Sequence, residues 1–249
     1  EREKALAYKE KYDQKLKEVD KEAEAILTET RKKAMKMETK IIAHRGANFF
    51  APQNTIPAFE IAVKLGADGF ETDIHLTKDG VPVLCHDYTI DATSDAKGNI
   101  ADYTYEELLK FDFGSYFSSA YAGTKMPTVE EFLDLFEKAD LDILNIEIKS
   151  PKDPKEFNIV EATIDMAKKH GLFDKLLISS FNPELLVRAK EYDPECKTGF
   201  LYSPTKKWSI PAIVDPVGFA KSIKADALHP YELFVTREYV ERAHANGIM

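Results

Sequence analysis

A chain of 249 residues with 44% hydrophobic side chains can bury one large core, or one domain and an appendage, which excludes disorder of the whole. Its charge of −9 is uneven: residues 1–40 hold 12 basic and 10 acidic side chains, leaving 22 and 33 for a body of net −11. Such a body argues against nucleic acid as a partner, since that binding depends on Lys and Arg neutralising phosphates; two cysteines, Cys85 and Cys196, make no disulfide framework.

No apolar run reaches the ~20 residues of a membrane span, and the N-terminus is too charged for a secretory signal, so a cytoplasmic protein is expected. Residues 1–40 contain no Gly or Pro, and Ala5, Tyr8, Tyr12, Leu16, Val19, Ala23 and Ile26 recur at steps of three and four. That stripe predicts a helix, either self-associating as a coiled coil, lying on a partner, or solvated. Ala-Leu-Ala-Tyr-Lys at 5–9 and Glu-Ala-Glu-Ala-Ile-Leu at 22–27 resemble in composition the stalk helix of the b subunit of F-type ATP synthases. The resemblance implies a fusion, with domains at 1–40 and 41–249 and a junction near Lys40-Ile41-Ile42.

From Ile41 short apolar runs alternate with amphipathic stretches, the pattern of repeated βα units. Strands are predicted at Ile41–His44, Gly69–Leu76, Pro82–His86, Ile143–Lys149, Leu176–Ser180, Thr198–Tyr202 and Ala227–His229. Helices are predicted between them, at Thr55–Lys64, Val129–Lys138, Glu156–His170, Pro183–Glu191, Pro216–Ile223 and Thr236–Ala245. The implied fold is an α/β barrel of the TIM type, expected to lack its last βα unit, because Gly247 reads as a helix end and Ile248-Met249 as the first step of a further strand. The stretch at about 88–126 is too long and polar for a simple loop and reads as an insertion after the third strand, with a short helix at Thr104–Lys110.

Catalytic groups of a parallel barrel gather at the C-terminal strand ends. There the sequence places His44-Arg45-Gly46, Glu71 with Asp73 and His75, His86-Asp87, and Glu147 with Lys149. Residues i and i+2 share a strand face, so Glu71, Asp73 and His75 project together, as do Glu147 and Lys149. Converging carboxylates need a cation: either a hard divalent ion, Mg²⁺ or Ca²⁺, or salt bridges to Arg45 and Lys149. His44 and His86 suit a general acid and base, and Arg45 and Lys149 suit phosphate oxygens, which implies an anionic ester as small-molecule substrate. His170 and His244 read as surface residues near helix ends, and His229 as the end of a strand.

His44-Arg45-Gly46, Pro52-Gln53-Asn54-Thr55, Gly66-Ala67-Asp68, Glu71-Thr72-Asp73, Thr77-Lys78-Asp79-Gly80, His86-Asp87 and Asn145-Ile146-Glu147-Ile148-Lys149 resemble the pattern of the glycerophosphodiester phosphodiesterases. The resemblance covers about 41–249. It implies that Glu71, Asp73 and Glu147 bind the metal, His44 and His86 form the acid/base pair, and Arg45 and Lys149 contact phosphate. It implies hydrolysis of glycerophosphodiesters to glycerol 3-phosphate and an alcohol, with a cyclic phosphate forming first if the glycerol hydroxyl attacks. Gln53 departs from the family's usual Glu, and the family's last strand, with its aromatic pocket wall, is not found. A phosphoinositide phospholipase C type of enzyme is a near alternative, although no lipid-facing apolar rim shows in the sequence. An inactive barrel serving as a coiled-coil-linked binding or assembly module is the reading from a different class.

Overall fold

The computed structural model describes Lys15 and residues 40–204 and 213–249, and Ile41–Met249 form one compact unit. The helix expected over 1–40 and the sole tryptophan, Trp208, lie outside the described residues.

The chain folds as alternating strands and helices: β1 (Ile42–His44), α1 (Ile56–Lys64), β2 (Gly69–Leu76), β3 (Pro82–Leu84), α2 (Tyr105–Leu108), α3 (Val129–Ala139), β4 (Ile143–Ile148), α4 (Ile159–Lys169), β5 (Leu176–Ser180), α5 (Pro183–Tyr192), β6 (Lys197–Tyr202), α6 (Pro216–Ser222), β7 (Ala227–Pro230) and α7 (Arg237–Ala245). The sheet runs β1-β2-β4-β5-β6-β7, all parallel, so each step needs a crossover helix. Met249 pairs beside β7, its N–H donating to the Asp226 carbonyl at 2.8 Å and its carbonyl accepting from Leu228 N–H at 2.9 Å.

β3 departs from expectation. It is an antiparallel arm of β2, with Ile74 opposite Leu84 and Leu76 opposite Pro82, and is not a member of the parallel series. The parallel strands among the described residues therefore number six, where the sequence pattern predicted seven. The cause is the length of the connection: Thr77 to Val81 spans too few residues for a parallel crossover, which takes a dozen or more. Thr77 Oγ1 donates to Asp79 and accepts from Val81 N–H, and Gly80 takes the left-handed φ of 79° that closes the turn.

Helix α3 shows how local sequence fixes the packing. Thr128 and Glu131 form a reciprocal capping box at its start, and Val129, Phe132, Leu133 and Phe136 place one apolar stripe on the sheet. Phe132 meets Phe59 of α1 at 4.7 Å between ring centroids, and Phe59 meets Phe70 of β2 at 4.9 Å. Gly69 is required where β2 leaves the loop, because a Cβ there would lie 2.4 Å from the carbonyl oxygen of Ile143.

The insertion carries its own small core of Val83, Cys85, Ile90, Ile100, Leu108, Phe113 and Met126. It leaves and rejoins the barrel at one place: Leu84 N–H donates to the Pro127 carbonyl at 3.0 Å, and Val83 bridges Thr128. Both cysteines are free and buried.

Candidate active site

Strand register assembles the acidic group. His44 pairs with Glu71 across β1 and β2, Glu71 with Asn145, and Asp73 with Glu147 across β2 and β4. Alternation then turns Glu71, Asp73 and Glu147 to one face, where a ligand oxygen from each lies within 4.8 Å of the others. All three are buried. His75, expected on the same face, is not part of this group: its Nε2 faces the His86 carbonyl at 3.4 Å and its ring stands edge-on to Tyr88.

The antiparallel course of β3 explains how His86 reaches the site. Running back along β2, it brings Cys85 N–H onto the Asp73 carbonyl at 3.0 Å, so the next residue arrives at the level of the carboxylates. His86 Nδ1 lies 2.7 Å from Asp87 Oδ1, and His44 Nε2 lies 3.7 Å from Glu71 Oε2. The two imidazoles, each partly exposed, are near enough to the group to feel Asp73 and each other. Burial and then Arg45 lower the His44 pKa, while burial and then Lys149 lower that of His86; Asp73 opposes both shifts. Each ring is therefore neutral at pH 7 in the free protein.

Two cations meet the carboxylates. Lys149 Nζ lies 2.7 Å from Asp73 Oδ1 and donates to Glu147, and Arg45 Nε lies 3.3 Å from Asp73 Oδ2. Arg45 also donates through Nη1 to Gln53 Oε1 at 2.7 Å. Burial pushes Asp73 up, but the Lys149 ammonium and hydrogen bonds from Lys149 and Asn54 outweigh it and hold the carboxyl below its usual range. Glu71 accepts the Arg45 backbone N–H at Oε2, at 3.1 Å, which does not offset its surroundings. Burial, then Asp73 and Glu147, push it up to about 8. Burial and Asp73 also raise Glu147, against the pull of Lys149, and the two neighbouring carboxylates overcome burial to raise Lys149.

Asn54, which the family pattern includes without a role, supports the acidic group. Buried, and held at a left-handed φ of 55°, it donates from Nδ2 to Asp73 Oδ2 at 2.9 Å and accepts from Thr72 Oγ1 at 2.9 Å. Its signal was an Asn after Pro52 in a loop, a residue type that tolerates this backbone. Asn145, likewise in the pattern without a role, lies two residues before Glu147, hence on its face, and its Oδ1 is buried without a hydrogen-bond partner.

The carboxylates adjoin an open cleft of about 700 Å³ lined by His86, Glu147, Lys149, Ser150 and Asn182 among others. On the loop after β1, Phe49 and Phe50 are exposed, and Tyr121 of the insertion donates to the Phe50 carbonyl at 2.8 Å. Tyr116 and Phe117 are exposed beside it, so an aromatic edge that the sequence did not reveal is present. His229 of β7 stands over Gly199, where a Cβ would lie 2.9 Å from its Nε2.

Three buried carboxylates, one of them pushed up by burial and by its two neighbours, and an unpartnered amide oxygen alongside make an oxygen-only set suited to a hard divalent ion.

A six-stranded parallel α/β sheet of the barrel type, with acidic residues and two histidines gathered where β1, β2 and β4 end, defines a class of barrel hydrolases. The profile of the Glycerophosphoryl diester phosphodiesterase family matches residues 44–249, and the chain belongs to that family. A glycerophosphodiester phosphodiesterase of Caldanaerobacter subterraneus subsp. tengcongensis is 39% identical over 85% of this chain and 84% of its own length. A phosphodiesterase of Oleispira antarctica, solved in complex with the product sn-glycerol-3-phosphate, superposes with a TM-score of 0.73 at 30% identity, over 84% of this chain and 81% of that one. A glycerophosphodiester phosphodiesterase of Thermotoga maritima gives a TM-score of 0.65 at 27% identity, over 85% and 84%. Among the described residues no helix is long and apolar enough to cross a membrane.

Proposed function

We propose that this chain hydrolyses glycerophosphodiesters to glycerol 3-phosphate and an alcohol, with a divalent cation held by Glu71, Asp73 and Glu147 and with His44 and His86 moving the protons. The observation that carries the reading is the convergence of three buried carboxylates with two imidazoles beside one open cleft.

Mg²⁺ and Ca²⁺ both suit the donor set, and either would supply positive charge to a phosphoryl oxygen when bound. The chain's own residues do the rest. Arg45 and Lys149 present positive charge beside the carboxylates, where a phosphate would be held and its developing charge stabilised. Asp87 engages His86 Nδ1, which fixes the ring and leaves Nε2 for proton transfer. One imidazole takes the proton of the attacking water as its oxygen bonds to phosphorus, and the other, carrying a proton in the substrate complex, gives it to the departing alcohol oxygen as that oxygen's bond to phosphorus breaks.

The test is release of glycerol 3-phosphate from glycerophosphocholine, with and without Mg²⁺ or Ca²⁺, beside a His44→Ala variant. Activity that needs the cation and His44 supports the reading. Turnover insensitive to chelator and to the substitution overturns the mechanism, and absence of turnover under every condition overturns the function.

A further inference from the structure

The sequence pattern placed His170 at the surface, but its side chain is only 8% exposed. It caps the end of α4 and faces α3, from which Glu130, Asp134 and Glu137 project along one face at steps of four and three. Its Nδ1 hydrogen-bonds Glu137 Oε2 at 3.3 Å and lies 3.7 Å from Asp134 Oδ1. On the other side Nε2 lies 3.4 Å from Glu130 Oε1, buried and without hydrogen-bonding geometry. Lys169 holds that same Glu130 carboxylate, which takes Glu130 out of the first group.

Either neutral tautomer of this ring turns one lone pair toward a carboxylate. With its proton on Nδ1 the ring hydrogen-bonds Glu137, and the Nε2 lone pair is left facing Glu130 at 3.4 Å. A metal at Nδ1 would instead leave the proton on Nε2, directed at the Glu130 carboxylate. Bonds of about 2.0–2.1 Å in a tetrahedron set ligand atoms roughly 3.4 Å apart, close to the two separations found here. The arrangement also has the outer partner that a metal-bound histidine normally has, a carboxylate beside the second ring nitrogen, here Glu130.

We propose that Asp134, Glu137 and His170 form a peripheral site for a Zn²⁺-type divalent cation, pinning α3 to α4. Imidazole with two carboxylates selects borderline transition ions over Mg²⁺ and Ca²⁺, which prefer all-oxygen sets, so this site and the acidic group of β2 and β4 take different ions. Asp134 and Glu137 are more than half exposed, and water completes the coordination.

The experiment is equilibrium dialysis of the full chain against Zn²⁺ in excess Mg²⁺, with zinc counted by atomic absorption, for the wild type, His170→Ala and the double variant Asp134→Asn, Glu137→Gln. One more Zn²⁺ per chain in the wild type than in either variant, with phosphodiester hydrolysis equal in all three, is the expected result. Should His170→Ala fail to fold, the double variant decides, because its exposed substitutions leave packing untouched. Equal zinc counts in the wild type and the double variant would overturn the proposal and leave an imidazolium ion pair.

Discussion

Binding of Mg²⁺ or Ca²⁺ at the acidic group is expected to expel a proton, and the amount follows from Glu71. Its carboxyl is pushed up to about 8 by burial and by Asp73 and Glu147, so at pH 7 it is roughly nine-tenths protonated. A cation needs the carboxylate, so each ion bound at pH 7 releases about 0.9 proton from this group, falling to about 0.5 at pH 8 and about 0.1 at pH 9. Apparent affinity accordingly rises about tenfold per pH unit well below 8 and levels above it. Isothermal titration calorimetry in two buffers of different ionisation enthalpy counts the protons directly. In Glu71→Gln the released proton disappears. The sign for the metal-free protein is the reverse of the usual carboxylate case. The folded state keeps a proton that the unfolded chain loses near 4.5, so this contribution to stability declines as pH rises from there through 8, and added cation restores it. No proton release at pH 7, or the same release in Glu71→Gln, would refute the account of Glu71.

Replacing His44 or His86 with Ala is expected to lower kcat by about 10²–10⁴ while leaving the thermal midpoint nearly unchanged, since both rings are partly exposed; steady-state kinetics beside calorimetry separates the two effects. Asn54→Ala removes the donor that orients Asp73 and strands Thr72, so a loss of about 1–3 kcal/mol in urea denaturation should accompany a drop in activity. Gly69→Ala drives a methyl group into the Ile143 carbonyl and should cost at least about 1–3 kcal/mol in the same assay, whereas Gly66→Ala meets nothing within 4 Å and costs only the strain of its φ of 82°.

Strand positions were legible where apolar residues recur between turn signals, and Gly69–Leu76 and Leu176–Ser180 form over the spans that the pattern predicts. The direction of β3 was not read from the apolar run Pro82–Leu84, because a run reports burial and not orientation. The information lay in the five residues before it, where Lys78-Asp79-Gly80 marks a tight turn that permits only an antiparallel return. The acidic group was legible because i, i+2 spacing on a strand fixes a shared face; His75 obeys the same spacing but sits higher on β2, where the returning strand covers it. Asn54 and the surroundings of His170 were not legible. Each depends on contacts between elements far apart in sequence, Asn54 with β2 and His170 with α3, and no local spacing encodes them.

The insertion has a consequence for how such a protein can change. Because its two stems meet side by side at Leu84 and Pro127, the intervening chain is a closed excursion with its own apolar filling, and its length is nearly free to vary without respacing the barrel strands. The same excursion begins two residues after His86 and borders the cleft through Tyr88, whose hydroxyl donates to the Ser150 carbonyl. Exchange of this cassette would therefore redraw one wall of the cleft while the strands beneath hold their carboxylates in place.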